Sequence, residues 1–68
     1  MSLHLYERLT GLLSFAEDLG VYLLLMDDRS YRILHTAENL HPKRGTLLRV
    51  DGKRVAHNIL AVERIEKA

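Results

Sequence analysis

Basic side chains are concentrated in residues 41–54, HPKRGTLLRVDGKR, where five of fourteen residues are Lys or Arg and Asp51 is the one acid. Lys and Arg side chains on loops can contact the phosphates of a nucleic-acid backbone. On a hairpin tip, the same residues can instead keep an edge strand charged and prevent it from pairing with other chains. The sequence leaves both interpretations open.

The predicted nucleic-acid contact is mainly electrostatic and joins this stretch to a second basic segment around Tyr31. Tyr31 lies between Arg29 and Arg32 and is the aromatic residue best placed to stack on a base, because Phe15 and Tyr22 lie in apolar segments. The predicted binding residues are Lys43, Arg44, Arg49, Lys53, Arg54, Arg29, Tyr31 and Arg32.

Catalytic and metal chemistry have little support in the chain. The histidines show no metal-ligand spacing; they are His4, His35, His41 and His57. Asp27 and Asp28 fall in a predicted turn, and neither a nucleophile motif nor a glycine-rich phosphate loop is present. The sequence therefore predicts no catalytic residue, no metal site and no cofactor, and it favours a binding or regulatory module over an enzyme.

Charge is unevenly distributed, although the net charge is only +1. Residues 1–28 hold five acids and one Arg, whereas residues 29–57 hold seven Lys or Arg and two acids. This asymmetry can mark a face for a polyanion, or it can let two copies pair acid to base. The expected partners are RNA or another nucleic acid and further copies of the chain, with an acidic protein as the alternative.

The chain has 68 residues and no cysteine, so it can build only a small core and no disulfide. Self-association is one of the remaining ways to stabilise so small a domain. The longest apolar run, VYLLLM at 21–26, is far shorter than a membrane-spanning helix, and no signal sequence opens the chain. We expect a cytoplasmic protein without a membrane segment.

The residues before Gly20 follow a helical pattern, with apolar residues in steps of four and three at Leu5, Leu9, Leu12, Ala16 and Leu19. This spacing predicts a helix over about 3–19 that ends at Gly20. Gly11 is unfavourable inside a helix. It either permits a close backbone approach or is simply tolerated, and tolerance is the favoured interpretation.

After Gly20 the pattern becomes extended and predicts strands at about 21–26, 31–37, 46–50, 53–58 and 60–66. The apolar run at 21–26 is typical of a strand covered on both faces. Asp51–Gly52 predicts a type I′ hairpin turn. The predicted fold class is α+β and mainly β: one domain over 1–68, with an N-terminal helix packed on a small, strongly bent antiparallel sheet or barrel of four or five strands.

This order of elements, together with LLRVDGKRVAHNILAVERI at residues 47–65, resembles the Sm-like family and other SH3-like small barrels, including Hfq-like and Rof-like proteins. The resemblance implies a self-associating barrel that binds RNA or, in the Rof-like case, a protein. The Lys-His pair with which Hfq-like proteins hold uridines would fall at Ile59 and Leu60, so the uridine pocket is not carried over.

The predicted function is therefore a small self-associating regulatory module that binds nucleic acid, most readily RNA. The alternative is a protein-interaction or inhibitor module that uses the basic hairpin face or the apolar strand at 21–26, without nucleic acid. In a third interpretation, 21–26 is an exposed edge that adds to the sheet of a partner.

Overall fold

The computed structural model describes residues 5–68, which form five β-strands and one short 3-10 turn. The elements are β1 Leu5–Ala16, β2 Val21–Leu25, β3 Tyr31–His35, the 3-10 turn His41–Lys43, β4 Leu47–Ala56 and β5 Ile59–Lys67. The strands pair in the order β1-β2-β3-β5-β4, and β4 pairs back onto β1. The sheet thus closes into a small barrel, as the coarser sequence prediction had it.

The predicted N-terminal helix is wrong. Residues 5–16 form β1, and no α-helix occurs within residues 5–68; residues 3 and 4 of the predicted helix lie outside the described part of the chain. Leu9, Gly11 and Leu13 point inward, whereas Leu12 points outward and is 40% exposed. A strand with one buried face is recognised by apolar residues that alternate with polar ones. Here an inward position is glycine and an outward position is leucine, so the alternation is lost and the leucine spacing matches that of a helix.

Gly11 is needed because β1 belongs to two strand pairs. β1 pairs with β4 up to Leu12 and with β2 from Leu12 onward. A Cβ on Gly11 would lie 2.5 Å from the carbonyl oxygen of Leu25, closer than carbon and oxygen can pack. The glycine therefore permits a close backbone approach, and the interpretation that it is merely tolerated is wrong.

The predicted hairpin turn at Asp51–Gly52 is also wrong, because β4 runs through both residues and the chain reverses at residues 57 and 58. Gly52 lies at a register shift between β4 and β5, where a Cβ would clash with the β5 backbone. Asp51 is 4% exposed, and its carboxylate accepts a hydrogen bond from Arg8. Gly52 thus lies at a β-bulge and Asp51 forms an ion pair, and neither residue is part of a turn.

One strand pair departs from the predicted antiparallel sheet. β3 and β5 run parallel and pair over three residues, Ile33 to His35 with Ile59 to Ala61. The other neighbouring strands are antiparallel. β1, β2 and β3 form a meander, and the long β3–β4 connection returns β4 to the side of β1, which is a Greek-key connection.

The core is formed by inward-facing aliphatic side chains: Leu13, Leu24, Leu34, Leu40, Leu48, Val50 and Leu60. Leu40 comes from the β3–β4 connection and is fully buried, so this connection covers one end of the barrel beside the 3-10 turn. Within residues 5–68 no helix has the length and apolar character needed to cross a bilayer.

Candidate functional site

The structure distributes the predicted binding residues over both ends of the barrel. Arg29 lies in the β2–β3 turn and Tyr31 begins β3, whereas Lys43 and Arg44 lie at the 3-10 turn near the opposite end. Arg49 lies between them on the outer face of β4, where it is exposed between buried neighbours. These side chains do not form the single basic clamp that their closeness in sequence suggested.

Arg32 and Arg54 lie close together, but both bind the carboxylate of Glu7, which lies within one end of the barrel. Arg32 donates from Nε to Oε1 of Glu7 over 3.1 Å, and Arg54 donates from a terminal nitrogen to Oε2 over 2.6 Å. Glu7 lies on the inward face of β1, and its side chain is 15% exposed. We call these three residues the Glu7 cluster; it links β1, β3 and β4.

The electrostatics of the Glu7 cluster are those of an internal ion pair. The hydrogen bond from Arg54 is the main reason that the pKa of Glu7 lies below its usual range, and Arg32 adds to the effect. The same bond raises the pKa of Arg54. The Nε atom of Arg54 is buried and lacks a hydrogen-bond partner within residues 5–68. Glu7 already occupies a donor of each guanidinium group, and the Arg32 side chain is only 13% exposed, so the cluster is poorly suited to hold a phosphate.

Two predicted lysines make loose surface ion pairs. Lys43 lies 3.9 Å from a carboxylate oxygen of Glu38, and Lys53 lies 4.0 Å from one of Glu63. Both lysine side chains are about half exposed, at 44% and 52%. Exposed pairs of this kind contribute about 0–1 kcal/mol, so either lysine can exchange its carboxylate for another anion at little cost.

The feature that sequence analysis missed is a row of exposed apolar side chains across four neighbouring strands. Leu12 is directly opposite Leu47 on β4 and Leu25 on β2, and Leu25 is opposite Tyr31 on β3. Their exposed fractions are 56% for Leu47, 40% for Leu12, 39% for Leu25 and 41% for Tyr31. We call this set the apolar row. Measured along the curved sheet it is about 14 Å long, since it crosses three strand spacings, and it passes more than halfway around the five-stranded barrel.

A guanidinium group lies near each end of the apolar row. Arg49 follows Leu47 by two residues on the same face of β4, and Arg29 precedes Tyr31 by two residues in the β2–β3 turn. In the described part of the chain, neither Arg forms an ion pair. The surface therefore has an apolar centre and two cationic ends.

One signal in the sequence could have found the apolar row. The apolar run at 21–26 predicted a strand covered on both faces, and Leu24 in β2 does point into the core. Leu25 points outward, where no element within residues 5–68 covers it fully. β2 pairs with β1 on one side and β3 on the other, so the exposed-edge interpretation is wrong. Only the outer face of β2 is left for a partner.

A further group of polar and aromatic contacts lies at the barrel end beside the 3-10 turn. The Tyr22 hydroxyl is 2.5 Å from Nδ1 of His41, and the Phe15 ring meets the His41 ring edge to face. These contacts attach the β3–β4 connection to β1 and β2. Within residues 5–68, no three His, Asp or Glu side chains are grouped closely enough to hold a metal ion; His4 lies outside the described residues.

Comparison with known proteins gives no family model, no curated protein and no solved structure that matches this chain.

Proposed function

We propose that this protein is a regulatory barrel that binds single-stranded nucleic acid, RNA in the first place, across the outer faces of β4, β1, β2 and β3. The observation that carries the proposal is the apolar row with Arg49 near one end and Arg29 near the other. In this arrangement bases lie on the apolar row, Tyr31 provides the stacking ring, and the two guanidinium groups hold phosphates.

The architecture supports this assignment by analogy. Five-stranded Greek-key barrels of the OB-fold type bind oligonucleotides on the face of strands 2 and 3, and the apolar row crosses the equivalent strands here. Such a likeness between folds is weaker evidence than the chemistry of the site. The likeness to Sm-like proteins contributes only that both are small barrels, because the helix it implied is replaced by β1.

The contact surface is a revision of the predicted one. Arg32 and Arg54 are left out because their guanidinium groups bind Glu7. Lys43 and Arg44 are left out because both make contacts at the 3-10 turn: Lys43 lies 3.9 Å from Glu38, and Arg44 donates to the carbonyl oxygen of His41. Stacking and apolar contact then contribute more to the affinity than the purely electrostatic clamp would have done, and the salt dependence is correspondingly shallow.

A protein partner is the second candidate, and one observation favours it. Three of the four members of the apolar row are leucines, which supply contact area but no π face. Turns with paired acids also lie at both ends of β2, Glu17 with Asp18 and Asp27 with Asp28. A second copy of the chain or another protein with an apolar, basic surface would match this face.

The proposal is tested by fluorescence anisotropy of labelled U-rich, A-rich and mixed single-stranded RNAs at about 50 and 150 mM salt. Tyr31→Ala should weaken binding by about 5- to 150-fold, the range found for one lost base stack, and Tyr31→Phe should restore it. Combined Arg29→Ala and Arg49→Ala changes should lower the slope of log K against log salt by about 1.4.

The matched control combines Lys53→Ala with Arg64→Ala, which removes the same charge from exposed side chains on β4 and β5 that lie outside the apolar row. This variant should keep the affinity of the unmodified protein. If it loses as much affinity as the Arg29 and Arg49 variant, the contact lies elsewhere and the proposed surface is wrong. Absence of RNA binding at the lower salt concentration, with concentration-dependent sedimentation lost in Leu25→Lys, would establish the protein-interaction candidate instead.

A further inference from the structure

A cavity of about 340 Å³ opens between the 3-10 turn and the strands β4 and β5. Pro42 and Lys43 form one wall, Ile65, Glu66 and Lys67 line the β5 side, and the buried side chain of Leu48 lies behind them in β4. Pockets that hold small molecules commonly have volumes of about 300–1,000 Å³ and combine an apolar lining with a few polar groups. This cavity is at the small end of that range.

The β5 wall of the cavity carries backbone groups as well as side chains. β3 pairs with β5 only as far as Ala61, and from Val62 onward β5 pairs only with β4 within residues 5–68. Successive residues of an antiparallel strand direct their N–H and C=O groups to alternate sides. From Val62 onward, β5 therefore has backbone N–H donors and C=O acceptors that point away from β4, toward the β3–β4 connection.

The polar lining has an excess of positive charge. Lys43 has only its 3.9 Å contact with Glu38, and Lys67 forms no ion pair in the described part of the chain. The carboxylate of Glu66 is held by Arg64 at 3.3 Å. Two ammonium groups thus border an apolar surface without a closely bound counter-ion.

We propose that this cavity binds a compact apolar acid, a branched or aromatic group that carries one carboxylate or phosphate. The apolar group rests on Pro42 and Ile65, and the anionic group is held by Lys43 and Lys67. Two sources share this chemistry: a free organic acid, and the carboxyl-terminal residue of an extended peptide whose backbone pairs with β5. The cavity adjoins the Leu47 end of the apolar row, but none of its lining residues belongs to the proposed nucleic-acid surface, so the two sites can be tested with different variants.

The test is a titration of the ¹⁵N-labelled protein, followed by amide chemical shifts, with N-acetyl-leucine and with its neutral amide. The acid should give saturable shifts at Thr46, Ile65 and Lys67, and the amide should bind at least about tenfold more weakly because it lacks the charge. A tetrapeptide that ends in leucine identifies the source. If it binds at least tenfold more tightly than N-acetyl-leucine, the ligand is a peptide terminus; equal affinity indicates a free acid.

Combined Lys43→Ala and Lys67→Ala changes should weaken the binding of N-acetyl-leucine by at least about tenfold. Both side chains are on the surface, so the variant should fold. Lys53→Glu changes the net charge by the same two units at an exposed β4 residue outside the cavity lining, and it should leave the affinity unchanged. The proposal is overturned if shifts do not saturate below about 10 mM, if the amide binds as tightly as the acid, or if the lysine variant keeps full affinity.

Discussion

Glu7 has two roles that its place in the sequence does not reveal: it is a polar residue on the inward face of β1, and it forms ion pairs with two arginines. Its partners are 25 residues away at Arg32 and 47 residues away at Arg54. Such distant pairs cannot be recognised without the fold. From the sequence, both arginines were therefore predicted to bind phosphates. Tyr31 and Arg49 are exposed and remain in the proposed site.

We predict that Glu7→Gln destabilises the barrel by about 2 kcal/mol, the usual contribution of hydrogen bonds to a charged group. The amide cannot satisfy two guanidinium groups, so positive charge is left at the barrel end. Urea unfolding followed by circular dichroism measures the change. Glu63→Gln is the matched control, because its loose pair with Lys53 is half exposed and its loss should cost less than about 1 kcal/mol.

The effect of Glu7→Gln on the free energy of unfolding should depend on pH. The pKa of Glu7 is lowered in the folded protein from its ordinary value near 4.5. Its contribution is thus fully present above about pH 4.5 and is lost as the pH falls through the lower, folded value. The stability gap between the unmodified protein and Glu7→Gln should be constant from pH 8 to pH 5 and should narrow below pH 4.5. A gap that is as wide at pH 2.5 as at pH 7 would contradict the assignment.

At the scale of the elements, β2 and β3 lie close to the predicted ranges, whereas β1 does not. Segments rich in β-branched and aromatic residues carry their own preference for strands, and in the twelve residues of β1 only Tyr6, Thr10 and Phe15 are of these types. β1 is a strand because β2 and β4 pair with it on both sides. Local propensity was overridden by these tertiary contacts, which a single sequence does not display.

Gly11 carries the clearest element-scale prediction. Gly11→Ala should destabilise the protein by about 1–3 kcal/mol, since the added methyl group meets the Leu25 carbonyl and forces the two strands apart. If Gly11 were part of a helix, the same change would stabilise the protein by up to about 1 kcal/mol. Thermal unfolding therefore distinguishes the strand from the helix by the sign of the change. Thr10→Ala, on the outer face of β1, is the control.

At the scale of the whole molecule, the closed barrel depends on contacts between distant parts of the chain. β1 pairs with β4, whose residues follow the β3–β4 connection and lie more than half the chain away. The barrel closes only when these partners meet. The sequence did indicate a small barrel, because short strands and turn signals predict closure, but the strand order requires knowledge of which distant segments pair.

We predict that refolding takes milliseconds to seconds, because proteins dominated by distant strand pairing fold slowly. Stopped-flow circular dichroism after dilution from urea measures the rate. Leu19→Ala, at a turn residue that is 71% exposed, should leave the rate unchanged. Complete refolding within microseconds would indicate that local structure, such as the helix suggested by the leucine spacing, governs folding.

The short parallel contact between β3 and β5 has a further consequence, for aggregation. If its three residue pairs separate, the barrel becomes an open sheet with β3 and β5 as its two edges. Beyond the contact, β5 carries Glu63, Arg64, Glu66 and Lys67, charges of the kind that discourage pairing with another chain. β3, with the sequence YRILH, has only Arg32 as a permanent charge, and that charge is occupied by Glu7. Transient opening of this one contact therefore exposes β3 as the strand through which molecules would exchange segments or assemble into fibrils.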